Sequence, residues 1–348
     1  MAVNTLSKEL NALLTTTMEK YRPTMADNVF NSNVTLAKLM DTDSVVRQGG
    51  GNEIVQPLMY AKNDTAQSYH GYDQFDTTPQ DGISAAEFDW KQLGATISIS
   101  RRERRQNSGE EALFNLVEKK VEQAEMSLQE LVNNQLINAF EPGNQGKDLT
   151  PIPQIIAVDP TTSPSAQVGQ IDGSTQSWWR NQAIASTATT LDGLEKELYQ
   201  AYNMASRGGM SQRPDLVLMD QITFENYELG LDKRQRYEDA RIADLGFEVL
   251  KLKGATVAWD EVIPDATNGN KFDLDATFDG GSNPATGTAY FINTKFLEFV
   301  IDSETEFETT DFKEPEDQDA AVAKILFMGE LTVNNRRKHA VLHDIDRI

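Results

Sequence analysis

The chain has no cysteine and only three histidines in 348 residues. The first absence excludes disulfides and thiolate chemistry and fits a reducing cytoplasm. It also makes the two sequons, at Asn33 and Asn63, chance matches. The second absence leaves no nucleophile–base arrangement to nominate, since His70 stands isolated among turn residues. His339 and His343 share one face at i, i+4, but no Glu follows His339 and no third ligand is in view, so both read as surface residues. No apolar run approaches the roughly 18 residues that cross a bilayer, so no membrane association is expected. The opening stretch MAVNTLSKELNALLTTTMEKY is amphipathic and lacks the basic-then-apolar order of a signal peptide. A phosphate loop is also missing, because GNQGKD lacks both the first glycine and the hydroxyl of the GxxxxGK[ST] pattern.

Positive charge is scarce too. The net charge of −22 excludes the broad basic face of a nucleic-acid reader, while suiting a container wall that must not stick to a like-charged cargo. Two acidic patterns resemble known sites. Leu216 to Asp220 (LVLMD) resembles the strand that carries a magnesium aspartate in nucleotide hydrolases, but without a phosphate loop Asp220 reads as a helix cap at the end of a core strand. Asp273, Asp275 and Asp279 space partly like a calcium loop, yet Phe278 stands where the glycine belongs. The expectation is no catalytic residue, no cofactor and no metal.

What the chain does have is one very long helical pattern. Leu113, Leu116, Val117, Val121, Ala124, Leu128, Leu131, Val132, Leu136 and Phe140 recur at steps of three and four. Asn107 or Ser108 is placed to cap the start, Glu110 and Glu111 suit the positive end of the helix dipole, and Pro142-Gly143 stops it. Such a rod, about three times the usual globular helix, is a framework element rather than the wall of an active site. A cluster of arginines, Arg101, Arg102, Arg104 and Arg105, leads into it.

Around that rod the chain divides. An amphipathic helix over about Leu6 to Tyr21 ends at Pro23, and a short apolar segment follows at Val34 to Met40. A long hairpin opens at Gly49-Gly50-Gly51, runs out as Glu53 to Tyr60, passes a polar tip and returns as Trp90 to Ser100. Pro57 implies an edge position or irregular pairing for the outgoing strand. Two strands alone are marginal in water, so the hairpin needs something to lean on, and in an assembly that can be a neighbouring subunit. A loop-rich stretch, Pro142 to Thr187, carries Trp178-Trp179, either anchors of the loop in its own core or anchors in a contact between subunits. Then come helix Leu191 to Ser206, buried strand Leu216 to Met219, helix Gln221 to Tyr237, and strands Phe247 to Leu252, Ala255 to Trp259, Tyr290 to Asn293 and Phe296 to Ile301. A final hairpin is expected from Ala321 to Val333, turning at Asn334-Asn335 into Lys338 to Leu342. The fold class is α+β.

This order of parts resembles the major capsid proteins of tailed bacteriophages, the Hong Kong 97-type fold, and TQSWWRNQ is similar to a stretch in some capsid sequences of that group. The resemblance covers nearly the whole chain. It implies an N-terminal arm over residues 1–46, an extended β-hairpin or E-loop over 47–107, a spine helix and first part of the P-domain over 108–187, an A-domain over 188–290 and the rest of the P-domain over 291–348. It implies a structural protein, not an enzyme, that self-assembles through hexameric and pentameric capsomers into an icosahedral head in the host bacterial cytoplasm and encloses double-stranded DNA without reading its sequence. No room precedes the arm for a scaffolding extension, so separate scaffolding, portal and decoration proteins are the expected partners. Two other functions stay open: an encapsulin-type compartment shell, which shares the fold, and an acidic α/β nucleotide-binding enzyme using Asp220, against which stand the missing phosphate loop and the unexplained hairpin. The resemblance also places the arginines where capsomers meet. Arg101, Arg102, Arg104 and Arg105 are the expected inter-subunit partners of the acidic run holding Glu304, Glu306, Glu308 and Asp311.

Overall fold

The fold is described from a computed structural model, which covers residues 35, 39, 44–106, 116–137, 146–163, 165–207, 212–231, 250–260, 263, 287–315, 319–346 and 348. In chain order the elements are strands β1 (Val45–Gln48), β2 (Glu53–Met59), β3 (Ile83–Asp89) and β4 (Lys91–Ser100), helices α1 (Arg101–Gln106), α2 (Leu116–Ile137) and α3 (Ile152–Ile155), and strands β5 (Gln167–Val168), β6 (Ile171–Asp172) and β7 (Gln182–Ala185). Helix α4 (Leu191–Ala205), β8 (Leu216–Met219), α5 (Gln221–Leu231), β9 (Leu250–Leu252), β10 (Ala255–Trp259), β11 (Gly287–Ile292), β12 (Leu297–Asp302), β13 (Glu308–Thr309), β14 (Ala320–Val333) and β15 (Ala340–Ile345) complete it.

The described residues fall into two compact units. The larger holds residues 33–92, 132–304 and 328–348. Its centre is a six-stranded mixed sheet in the order β7-β15-β11-β8-β10-β9. Parallel pairing joins β15 to β7 and β10 to β8, and the other neighbours are antiparallel. Strands β8 and β11 are buried at every position, which is why LVLM and GTAYFI read as continuous apolar runs and not alternating ones. Helix α4 lays Leu194, Leu198, Ala201, Tyr202 and Ala205 on this sheet, and the Thr190 side chain caps its start by accepting from the Gly193 N–H at 3.2 Å. Phe224 and Tyr227 of α5 join the same core.

Two further parts belong to the larger unit. Strand β1 runs parallel to β12, and β12 pairs antiparallel with the second half of β14, Val300 facing Glu330. The hairpin of β2 and β3 pairs Glu53 with Asp89 through Met59 with Ile83 and belongs to no larger sheet. Gly50 and Gly51 turn the chain into it at φ +72° and +112°, where a side chain would be strained.

The smaller unit holds residues 93–131 and 305–327 among those described. In it the first half of β14 pairs with β13, and β4 also pairs with β14. Ile97, Ile99, Leu128, Ala323, Ile325 and Phe327 are its buried apolar side chains. The long helix is present as α2, 22 residues; both ends expected from sequence lie outside the described residues, as do the amphipathic segment at 6–21 and Asp273, Asp275 and Asp279. Of the expected stripe, Leu128, Val132 and Leu136 are buried and Leu131 is exposed.

Four sequence expectations need correction. The outgoing strand β2 pairs with Ile83–Asp89, inside the stretch read as a polar tip, and the strand expected to return beside it is β4, which pairs with β14. The arginine cluster is not the extended foot of the hairpin but the helix α1. Its cause is a capping box in the sequence Ser100-Arg101-Arg102-Glu103: the Ser100 N–H donates to the Glu103 carboxylate at 3.0 Å and the Glu103 N–H donates to Ser100 Oγ at 3.2 Å. There is no final hairpin either, because β14 pairs with β12 while β15 enters the six-stranded sheet between β7 and β11. Finally, His339 is fully buried, accepting from the Asn293 N–H at Nδ1, and burial beside Arg336 lowers its pKa to about 3.

Candidate assembly surfaces

The hairpin has a dry face and a wet face, set by the two-residue period of its strands. Ile54, Leu58, Ala86 and Phe88 turn inward and are buried. Val55, Met59 and Ile83 turn outward and are exposed at 54%, 83% and 73%. The tip adds three aromatics to the exposed set, Tyr69, Tyr72 and Phe75. It is not shapeless. The Tyr69 and Phe75 rings meet at 4.8 Å, the His70 N–H donates to the Asp73 carboxylate at 2.7 Å, and Gln67 donates to the Gln74 carbonyl at 2.9 Å. Large apolar side chains concentrated on one face of a two-stranded element mark a contact surface more often than a scattered exposed leucine does.

The inward face is covered by the larger unit itself. The β5–β6 turn comes so close that a Cβ on Gly169, already at φ +60°, would lie 2.8 Å from Ala86 Cβ and 2.9 Å from the Phe88 ring. The Gly169 carbonyl accepts from the Glu87 N–H at 3.1 Å. Trp178 stacks on Tyr60 at the end of β2, centroids 5.1 Å apart, and donates to Gln176. Trp179 is 1% exposed and donates to the Val168 carbonyl at 2.9 Å. Of the two readings of this aromatic pair, Trp179 follows the core-anchor one, and Trp178 is half-buried against Tyr60 at the tip end of β2.

Beneath them lies Arg336, fully buried and without a carboxylate partner among the described residues. Its guanidinium donates to the carbonyls of Ile155, Trp179, Gln154 and Ser165 and to Asn181 Oδ1, at 2.9 to 3.5 Å. Burial lowers its pKa to about 9. This side chain sits in the 3-10 turn Arg336–Lys338 that diverts the chain from β14 to β15, which is the physical reason the final hairpin does not form. In sequence it was indistinguishable from the basic surface run around it.

The charged candidates lie as follows. Arg101 is exposed and pairs within its own chain, with Asp319 at 2.9 Å and Glu314 at 3.6 Å. Arg102 is exposed; the backbones of Arg104 and Arg105 are helical and their side chains lie outside the described residues. Glu304, Glu308 and Asp311 are exposed and Glu306 is half-buried. Glu103 is held by Lys120 as well as Ser100, so although burial pushes its pKa up, these bonds bring it below the usual carboxylate value.

Asp220 takes the part of a structural lock. It is fully buried, and its carboxylate accepts from Thr223 N and Oγ1, at the start of α5, and from the Thr288 N–H of β11 at 2.7 Å. A Cβ on Gly287 would lie 2.6 Å from it. Among the described residues no group of three His, Asp or Glu is placed to hold a metal.

Neither a protein-family model nor a curated protein matches the sequence. Solved structures match nearly all of the fold. The chain is similar to the capsid asymmetric unit of cyanophage A-1(L), with 15% identity, a TM-score of 0.62 and coverage of 94% of this chain and 96% of that one. It is similar to the capsid of Myoviridae phage XM1, at 13%, 0.57, 94% and 97%. It is also similar to the holo-SrpI encapsulin complex from Synechococcus elongatus PCC 7942, at 10%, 0.56, 94% and 92%. Likeness at these identities is likeness of fold, and the chain has the Hong Kong 97-type capsid fold.

Proposed function

We propose that the chain is the major capsid protein of a tailed phage, self-assembling into an icosahedral head that encloses double-stranded DNA. One observation carries the reading: the fold matches capsid subunits from end to end, over 94% of this chain and 96 to 97% of theirs, and not merely through a shared sheet. The role is structural. In it, 1–46 is the arm, 47–107 the E-loop, 108–187 spine and first P-domain part, 188–290 the A-domain and 291–348 the second P-domain part. Copies of the chain meet through the outward hairpin face, and Arg102, Arg104 and Arg105 reach acidic side chains such as Glu304, Glu306, Glu308 and Asp311 of a neighbour. Arg101 is the exception, since its intrachain carboxylates already occupy it. Hexamers and pentamers, separate scaffolding, portal and decoration proteins, and assembly in the bacterial cytoplasm belong to the same reading.

The likeness to the SrpI encapsulin favours a second reading, a protein compartment with a protein cargo. Particles isolated from the natural source separate the two. The capsid reading expects nuclease-protected double-stranded DNA inside; a stoichiometric folded enzyme and no DNA would replace it with the compartment reading. A chain that stays monomeric at every concentration would sink both.

A further inference from the structure

Glu330 is the buried ionisable group that neither the fold nor the shell explains. It lies in β14, 1% exposed, opposite Val300 of β12. One carboxyl oxygen, Oε1, accepts from the Thr150 N–H at 2.8 Å and from the Leu331 N–H at 2.9 Å. The other, Oε2, is buried and has no hydrogen-bond partner among the described residues. An ionised carboxylate in that setting carries an unsatisfied charge.

The surroundings are a junction of three parts of the larger unit. Thr150 ends the loop segment 146–150, and Gln135 of α2 holds that segment by donating to Asp148 at 2.8 Å and accepting from the Leu149 N–H at 3.2 Å. Lys91, the residue after the foot of the hairpin, donates to the Gly146 carbonyl of the same loop at 2.7 Å. Gln56 of β2 donates to Glu298 and Thr332 on β12 and β14. Lys91 is the one cation whose charge reaches Glu330 among the described residues. The nearby carboxylates have their own partners: Glu298 has Gln56 and Asn334, Asp148 has Gln135, and Asp302 has the Gly50 and Glu304 N–H groups.

We propose that Glu330 is a proton-operated latch at the root of the hairpin, closed when neutral and loosened when ionised. Neutral, it leaves Lys91 on the Gly146 carbonyl and the loop seated against β14. Ionised, its Oε2 draws the Lys91 ammonium away from the Gly146 carbonyl, which frees the hairpin foot. Burial raises the carboxyl pKa to about 7, the Thr150 and Leu331 N–H groups, Lys91 and the Thr150 hydroxyl only partly opposing it, so the change falls near neutrality. The native state then holds this proton more tightly than the unfolded chain. The linked stability is greatest in acid and declines as pH rises from the ordinary carboxylate range through about 7.

The latch acts within one subunit, so its test needs no shell. Amide exchange of the full chain, corrected for the intrinsic rate of each amide, should show Thr150 and Leu331 better protected at about pH 5.5 than at about pH 8.5, by roughly tenfold or more. Glu330→Gln, which fixes the neutral form, should show equal protection at both pH values. Lys91→Met, which removes the counter-charge, should move the midpoint to higher pH. Wild-type protection that ignores pH overturns the proposal, as does a Glu330→Gln chain that keeps the wild-type pH dependence. Should Glu330→Gln not fold, the Lys91→Met midpoint decides, and one that stays in place overturns it.

Discussion

The six-stranded sheet and the β2–β3 hairpin belong to the same compact unit, and their strands are similarly rich in apolar residues, but they use them differently. In β8 and β11 every residue is buried, so both faces of the strand are spent inside the subunit. In β2 and β3 the inward set, Ile54, Leu58, Ala86 and Phe88, is closed against the Gly169 turn, while Val55, Met59 and Ile83 point to solvent. The sheet is complete in one chain. The hairpin is closed on one face only, and in the proposed reading its exposed second face meets another copy of the chain. The proposed reading makes this difference one between residues that fold the subunit and residues that join subunits, and substitution can test it.

The largest effect is expected where the core depends on one side chain. Arg336→Leu leaves the carbonyls of Ile155, Trp179, Gln154 and Ser165 without this donor and should cost on the order of 3 to 5 kcal/mol, enough to leave little folded chain by thermal melting. Next come the inward hairpin positions, where Leu58→Ala or Phe88→Ala should cost about 2 to 5 kcal/mol and lower the melting temperature. On the outward face of the same strands, Val55→Asp with Met59→Asp should leave stability within about 0.5 kcal/mol yet abolish particles by negative-stain microscopy. Equal stability losses on the two faces would erase the distinction. The smallest effect concerns charge. Arg101→Ala should alter stability by less than about 1 kcal/mol because its pairs are exposed, whereas Arg102→Glu should leave the melting temperature alone and weaken shell closure, read by sedimentation.

Much of this was legible in the sequence because it rests on local period. The runs LVLM and ATVAW have the bounds of β8 and β10, the stripe through Leu128, Val132 and Leu136 marks the long helix, and the alternation of Leu93, Ala95, Ile97 and Ile99 marks β4. Even the capping box over Ser100 and Glu103 was readable in the letters, and it signals a helix where the arginines suggested a hairpin foot. What periodicity does not carry is pairing at long range. Strand β3 looked like tip because ISAAEFD is short and follows a polar stretch, and β15 looked like the partner of β14 because it comes next. Both choices are made by groups far away in sequence, the Gly169 turn for β3 and the carbonyl cage around Arg336 for β15. A buried arginine, a buried histidine and a neutral-range carboxyl look like surface charge until the chain closes over them.

The account stands most directly on whether the outward hairpin face is covered by another copy. The absence of cysteine allows a clean measurement, because a single Tyr72→Cys thiol at the exposed tip is the only one in the chain. Maleimide should label it rapidly in free subunits and roughly tenfold or more slowly in assembled particles, as expected for a residue near the centre of a desolvated contact. Labelling at the same rate in subunits and particles would mean that the hairpin faces solvent in both, and the central claim would fail.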